Sequence, residues 1–402
     1  MQVSAVPAKG SASPTPLLDR LAPLPAPAAP GAGSRILVAA LLCSLLAVAL
    51  LWKAWDPAFA RPLVAWGREH LLQKLAAHGS GAGLVLVTCS ALAAVFAGIF
   101  VHEAGHVAGG LCAGFRFHSM ALGPLKLDRS LRLSRQRGPL AWSGGWVGMV
   151  PGRRDHLRLR ALVLVVAGPV ANLISGCAVL VLPFAKGFAA EVFALSSIAA
   201  GLIELLPIRS RAVSFDGWKI LRLLSDREWT GRWLASLALT ADLQRGVLPE
   251  ELPAEDLAKA VALRDASAET VGAHAIAYSA AFHQHKDEEA ARLLETCLQH
   301  AGHAAPAMRQ GLMSEAAVFQ ARRRKRLDLA AAWLAALPAA TELPWQRTRA
   351  EAAVLEARGD LKGASSKLDA YEAMLRSFPL ASEAQRATLL FIVRRWKSEL
   401  HA

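Results

Sequence analysis

The residues best suited to chemistry are His102-Glu103-Ala104-Gly105-His106. Side chains four apart on a helix share one face, so His102 and His106 can bring two imidazole nitrogens to a single metal ion while Glu103 reaches the adjoining position. This is the ligand spacing of zinc hydrolases, in which the glutamate is no ligand: it takes a proton from the attacking water and passes it to the leaving amine. With 12 histidines and 32 acidic residues in 402, a chance match is expected roughly once in a hundred such sequences. The flanks are apolar, and ionisable groups are costly in such a setting unless they pair with one another, so the default reading of all three is functional.

Two histidines do not complete a catalytic zinc site, which takes three protein ligands and leaves a position for water. Candidates for the third are Asp216, Glu204 and the loop residues His118, Asp128, Asp155 and His156. Asp216 follows the last apolar run at a depth that matches His106, yet it is equally placed to cap a helix over Gly217 to Leu224. Gly105, Gly109 and Gly110 clear the space around His106, for a neighbouring helix or for substrate backbone.

The elements that must hold these groups are of membrane length. Apolar runs extend over Ile36 to Trp52, Gly83 to about Val107, Ala161 to Phe184 and Val192 to Pro207, each near the ~20 residues a helix needs to cross the hydrocarbon core. Between the second and third, Lys126, Arg129, Arg132, Arg135, Arg137, Arg153, Arg154 and Arg158 are opposed only by Asp128 and Asp155. The excess of positive charge places this segment in the cytoplasm. Four spans then put both termini there, with Lys53 to Ala82 on the far side and its run Leu63 to Leu75 either along the membrane surface or in solvent. Inside the basic segment, Leu125 to Asp128 and Leu131 to Arg135 alternate with period two, and Gly144-Gly145 precedes Trp146 to Val150, so short strands and hairpins are expected beside the second span.

Composition agrees with a membrane protein that carries a soluble part: 54% of residues are hydrophobic, 19% are charged and mean hydropathy is positive. The formal charge of +13 does not point to nucleic acid, because basic residues cluster beside apolar runs and no stretch interleaves them with stacking aromatics. Cys43, Cys89, Cys112 and Cys177 lie in or beside apolar runs and Cys297 stands alone, which indicates neither a disulfide framework nor a cysteine zinc site. Residues 1–35, rich in Pro, Ala and Ser, read as a disordered tail and not as a signal peptide.

After Asp216 the chain turns to amphipathic helices. The segment Glu315-Ala-Ala-Val-Phe-Gln-Ala-Arg322 recurs as Glu351-Ala-Ala-Val-Leu-Glu-Ala-Arg358, and Phe282 precedes Phe319 by a similar interval. Helix-pair repeats of this period build a tetratricopeptide-like solenoid, whose concave surface suits a protein partner or the presentation of substrate; an irregular helical bundle is the alternative. The expected fold is therefore mainly α: a disordered tail over 1–35, a polytopic membrane domain of about four spans with a small membrane-associated β-hairpin loop over 36–224, and a cytoplasmic helical-repeat domain over 225–402.

Several motifs, in order, resemble the site-2 protease family of intramembrane zinc metalloproteases over about Gly83 to Leu224. They are Phe100-Val-His-Glu-Ala-Gly-His106, Gly144-Gly145-Trp146-Val147-Gly148-Met149, Ala167-Gly-Pro-Val-Ala-Asn172, and Leu205-Leu-Pro207 with Phe215-Asp-Gly217. The resemblance implies peptide-bond hydrolysis near the cytoplasmic face of a multi-pass membrane protein, in a bacterial inner membrane, with one Zn2+ per chain. It also implies His102, His106 and Asp216 as ligands, Glu103 as general base, and Asn172, Gly144 and Gly145 against the substrate. The substrate would be a membrane-spanning or membrane-tethered protein or peptide. Glu204 stands where the family commonly has Asn, and the stretch Ile208 to Phe215 is longer than the compact motif, which keeps Glu204 open as an alternative ligand or proton relay. Two other classes compete: a docking scaffold with a vestigial metal centre, and a transporter that uses His102, Glu103 and His106 as an ion path.

Overall fold

The computed structural model describes residues 16–20, 24, 81–135, 144–182, 187–209, 214–339, 341, 343, 345–378, 380 and 382–401. The runs Ile36 to Trp52 and Leu63 to Leu75, most of the N-terminal segment and Arg137 lie outside the described residues. The chain is mainly helical with one small antiparallel sheet. It divides into two units, 29–241 and 1–28 with 242–402. The division falls at 241/242 where 224/225 was expected, and the described N-terminal residues Leu17, Leu18 and Leu24 group with the C-terminal helices.

The first unit begins with helix α1, Gly81–Cys112, and continues through strands β1, Phe115–Leu122, β2, Leu125–Asp128, β3, Leu133–Arg135, and β4, Gly145–Pro151. Helices α2, Leu157–Val181, α3, Phe188–Glu204, and α4, Asp216–Ser225, follow, and α5, Arg227–Arg245, contains the 241/242 division. Two stretches, Thr88–Cys112 and Leu157–Val181, are long and apolar enough to cross a membrane. The expected span over 192–207 takes the form of the 17-residue α3. Large apolar side chains face outward on all three helices, among them Leu92 (64% exposed), Ile174 (65%) and Leu202 (52%). Water penalises such a surface and hydrocarbon does not.

Glycine lets these helices approach. A Cβ on Gly105 would lie 2.5 Å from Ala171 Cβ and 2.6 Å from the Ala167 carbonyl oxygen, and one on Gly109 only 2.2 Å from Ala167 Cβ. Between the two uses open to these glycines, the structure shows helix packing, which in lipid must come from close van der Waals contact.

The sheet has the order β3-β2-β1-β4 with antiparallel pairing throughout. The segments of period-two alternation form β2 and β3, and the Gly144-Gly145 pair leads into β4 as expected. An irregularity between Phe117 and Ser119 shifts the β1–β4 register at His118. Strand β4 pairs with β1 alone, so one of its edges has no partner strand among the described residues. Two arginines near the start of α2 hold helix ends: Arg158 donates to the Leu223 and Leu224 carbonyls at the end of α4, and Arg160 Nη1 donates to the Ala113 carbonyl after α1 at 2.7 Å. Cations at helix C-termini satisfy carbonyls that lack intrahelical donors.

The second unit contains α6, Ala254–Val261, α7, Ala268–His283, α8, Asp287–Gln299, α9, Pro306–Arg322, α10, Leu327–Ala336, α11, Trp345–Ala357, α12, Leu361–Ser377, and α13, Glu383–Leu400. Successive helices pack as pairs α7/α8, α9/α10 and α11/α12. The echoed sequence occupies matching places in α9 and α11, and its shared residues Ala316/Ala352, Ala317/Ala353 and Val318/Val354 are all buried. Their recurrence is a packing pattern, since small residues let neighbouring helices close. Ser267, Asp360 and Ser382 accept backbone N–H groups at the starts of α7, α12 and α13, as N-caps do.

One expectation is corrected here. The segment read as a disordered tail carries an ordered 3-10 turn, Leu17–Asp19, and Leu18 is buried in the core of the second unit. The bulk composition hid Leu17, Leu18 and Leu24, which supply enough apolar surface to dock.

Candidate metal centre

Helix α1 places His102 and His106 one turn apart, with their rings edge to face and centroids 4.7 Å apart. Asp216, the first residue of α4, faces both. His106 Nε2 lies 3.1 Å from His102 Nε2 and 3.0 Å from Asp216 Oδ2, and His102 Nε2 lies 3.2 Å from the same oxygen. Ligand atoms about 2.0 Å from one tetrahedral ion sit about 3.3 Å from each other, so the triangle matches the spacing a zinc-sized ion requires. The three residues form a buried group that could hold a metal ion.

Hydrogen bonds set the state of these atoms. His106 Nδ1 donates to the Leu164 carbonyl at 2.8 Å, which fixes the proton on that nitrogen and leaves Nε2 with a lone pair. Gly168 makes room for the ring, because a Cβ there would lie 2.4 Å from His106 Nε2. Asn172, 1% exposed, sets its carboxamide 3.4 Å from His102 Nδ1, and its Oδ1 has no donor. Carboxamide ends are interchangeable in shape; turning Oδ1 toward His102 Nδ1–H satisfies that oxygen and frees His102 Nε2 for a metal. Burial alone would raise the Asp216 carboxyl, but its contacts with the two imidazoles and with Lys219, at 2.9 Å, hold it below the usual carboxylate range. With the proton on Nδ1 of each imidazole, both Nε2 atoms and Asp216 Oδ2 would turn lone pairs to one point, the donor set a cation takes.

The support around Asp216 explains its placement. Its backbone N–H donates to Glu204 Oε2 at 3.3 Å. A Cβ on Gly217 would fall 2.0 Å from the Leu205 carbonyl oxygen, so only glycine lets the start of α4 meet the end of α3 this closely. Arg158 grips the opposite end of α4. The cap reading of Asp216 gives way: Phe215 is the N-cap residue, and no side chain caps this helix. Glu204 sits behind Asp216 as an acceptor and is absent from the convergent group.

Glu103 is buried beside the histidines, 6% exposed, with its carboxylate against the first residue of β4. A Cβ on Gly145 would meet Glu103 Oε1 at 2.3 Å, so the glycine leaves the space that the carboxylate occupies. Gly144 has φ +103° and open space around it, and its role is conformational. The remaining candidates lie elsewhere. Asp128 accepts from the backbone of Ser130 and Arg132, Asp155 pairs with Arg153 and Arg160, His156 precedes α2 at φ 50°, and His118 sits at the β1 irregularity. Among the described residues, His102, His106 and Asp216 are the only group of three or more potential ligands.

Lys219, Gly168 and Arg158 have no role at the site that the sequence alone assigns. The spacing Asp216 to Lys219 is a readable signal, since residues three apart meet on a helix. The other two act across long sequence separations.

Asn172 yields a discriminating prediction. If it orients His102, Asn172→Leu lowers zinc affinity by about 10- to 100-fold, as loss of an outer-shell partner does. Competition with a chromogenic chelator measures this. Unchanged affinity with slower turnover would instead assign Asn172 to the substrate, as the family resemblance implies.

No family model, curated protein or solved structure matches this chain.

Proposed function

We propose that this protein is a zinc-dependent intramembrane endopeptidase, similar to site-2 proteases, that cleaves membrane-spanning or membrane-tethered proteins near the cytoplasmic face. The observation that carries the reading is the convergence of His102 Nε2, His106 Nε2 and Asp216 Oδ2 beside buried Glu103, on a helix long and apolar enough to cross a membrane. Zinc held there would supply Lewis acidity, acidifying water and polarising a peptide carbonyl.

The chain's own groups supply the rest. Glu103 takes the proton from the attacking water and delivers it to the leaving nitrogen. Asn172 and the Leu164 carbonyl hold the two imidazoles in their ligand tautomers. A helical substrate must unwind first, because its backbone groups are bonded internally. The edge of β4 that has no partner strand among the described residues, beside Glu103 at Gly145, would receive the released strand by main-chain pairing.

The docked N-terminal turn supports a topology with both ends on one side. Leu18 lies in the core of the unit that holds residues 242–401, so the chain between them crosses the membrane an even number of times. Helices α1 and α2 are long and apolar enough for two crossings, α3 is read as a third, and the fourth that an even count requires is the one the sequence reading assigns to the run Ile36 to Trp52, outside the described residues. The paired C-terminal helices, tetratricopeptide-like in period, serve to dock a protein partner.

The test uses the full chain in lipid vesicles with a single-span peptide substrate. Cleavage is expected with zinc, is lost on chelation, and returns when zinc is restored. Cleavage indifferent to chelation, or none from zinc-loaded protein on a panel of single-span substrates, would refute the reading.

A further inference from the structure

The second unit holds a groove whose polar lining serves one short peptide. The two oxygens of Glu295, on α8, accept the backbone N–H groups of Leu17 (3.0 Å) and Leu18 (2.9 Å), and Gln299 steadies the carboxylate at 2.8 Å. Fully buried Gln320, on α9, donates through Nε2 to the Leu18 carbonyl at 2.7 Å and to Asp19 Oδ1 at 3.3 Å. Trp333 Nε1, on α10, donates to the same carbonyl at 3.4 Å, and Arg326 lies 4.0 Å from Asp19. Leu18 itself is 2% exposed within the apolar core, flanked by partly buried Leu17 and Leu24.

These contacts read a pattern. Two successive amides, a buried leucine, its carbonyl and an acidic side chain are each met by a side chain from one of three helices, more than 270 positions away in sequence. Pro16, at φ −52° and ψ 145°, starts the turn with its backbone already set. Such contacts are the means by which grooves recognise short linear segments, with main-chain bonds for affinity and one pocket for specificity. The interacting stretch is brief, so its occupancy depends on the tether that keeps it at high local concentration.

We propose that the groove between α8, α9 and α10 is a docking site for a Pro-Leu-Leu-acidic turn, held in cis by Pro16–Asp19, and that a partner protein presenting the same turn takes it in trans when the cis segment lets go. The site is independent of the metal centre, and its failure would leave the peptidase reading untouched.

The probe is a fluorescent peptide of residues 13–24, titrated into the full chain in detergent. A variant in which Pro16–Asp19 is replaced by Gly-Ser-Gly-Ser is expected to bind it about tenfold or more tightly than the wild type, whose own segment competes. Adding Glu295→Ala to that variant is expected to abolish the gain, and a peptide carrying Leu18→Asp is expected not to bind. Equal binding by wild type and variant, or no binding by a variant that melts like the wild type, overturns the proposal. Should the replacement unfold the unit, hydrogen exchange decides: the Leu17 and Leu18 amides are expected to be protected in the wild type and to exchange faster in Glu295→Ala. Free exchange of both in the wild type overturns it as well.

Discussion

The Glu103→Gln protein is expected to keep its zinc and to lose peptide cleavage by a factor of about 10² to 10⁴, the usual contribution of a positioned acid–base group. Gln matches Glu in size and fits against Gly145, where the carboxylate now leaves no room for even a methyl group. It cannot accept the proton that the attacking water must give up. The ligand atoms belong to His102, His106 and Asp216, none of which is altered. Initial rates on a vesicle-embedded substrate, with zinc measured on the same preparation, test this. A rate within a few-fold of wild type would remove Glu103 from the chemistry, whereas loss of zinc together with activity would make it a structural support.

Asp216→Asn is expected to lower zinc affinity more than the roughly 100-fold that marks the upper end for outer-shell partners. The amide keeps the shape and the neighbours of the carboxylate but removes the charge that faces the two imidazoles. Lys219, 2.9 Å from Asp216 Oδ1, would then add an uncompensated positive charge beside the cation. Chelator competition reads the change directly. Affinity near that of wild type would shift the third-ligand role elsewhere, and Glu204, whose Oε2 accepts the Asp216 backbone N–H, is the alternative carboxylate to assume it. Glu204→Gln separates the two, because it leaves the convergent atoms in place and is expected to weaken zinc less than Asp216→Asn.

Local patterns are legible in the sequence itself. The spacing of His102 and His106 requires a helix, and α1 supplies one; the alternation over Leu125 to Asp128 announces β2; and the repeated Ala-Ala-Val of α9 and α11 marks buried helix contacts. Asp216 is reachable as a candidate but not separable from a helix cap, because both uses place an aspartate at the start of a helix. What decides it is the junction of Gly217 with the Leu205 carbonyl and the grip of Arg158 on the far end of α4, neither of which has a local signature. Arg158 counts in the sequence as a topological charge, yet it also closes a helix terminus. Leu18 illustrates the limit most clearly. Periodicity and composition report how a segment treats water, and no such measure can announce that four residues in a Pro- and Ala-rich stretch fit a groove whose lining comes from Glu295, Gln320 and Trp333.

Zinc K-edge X-ray absorption on the purified, zinc-loaded full chain tests the central claim most directly. The account predicts one zinc per chain in a shell of four nitrogen or oxygen atoms at roughly 2.0 to 2.2 Å, two of them from imidazoles, with no sulfur, and less zinc retained by Asp216→Asn. A sulfur-containing shell, a single imidazole, or protein that retains no stoichiometric zinc would contradict it.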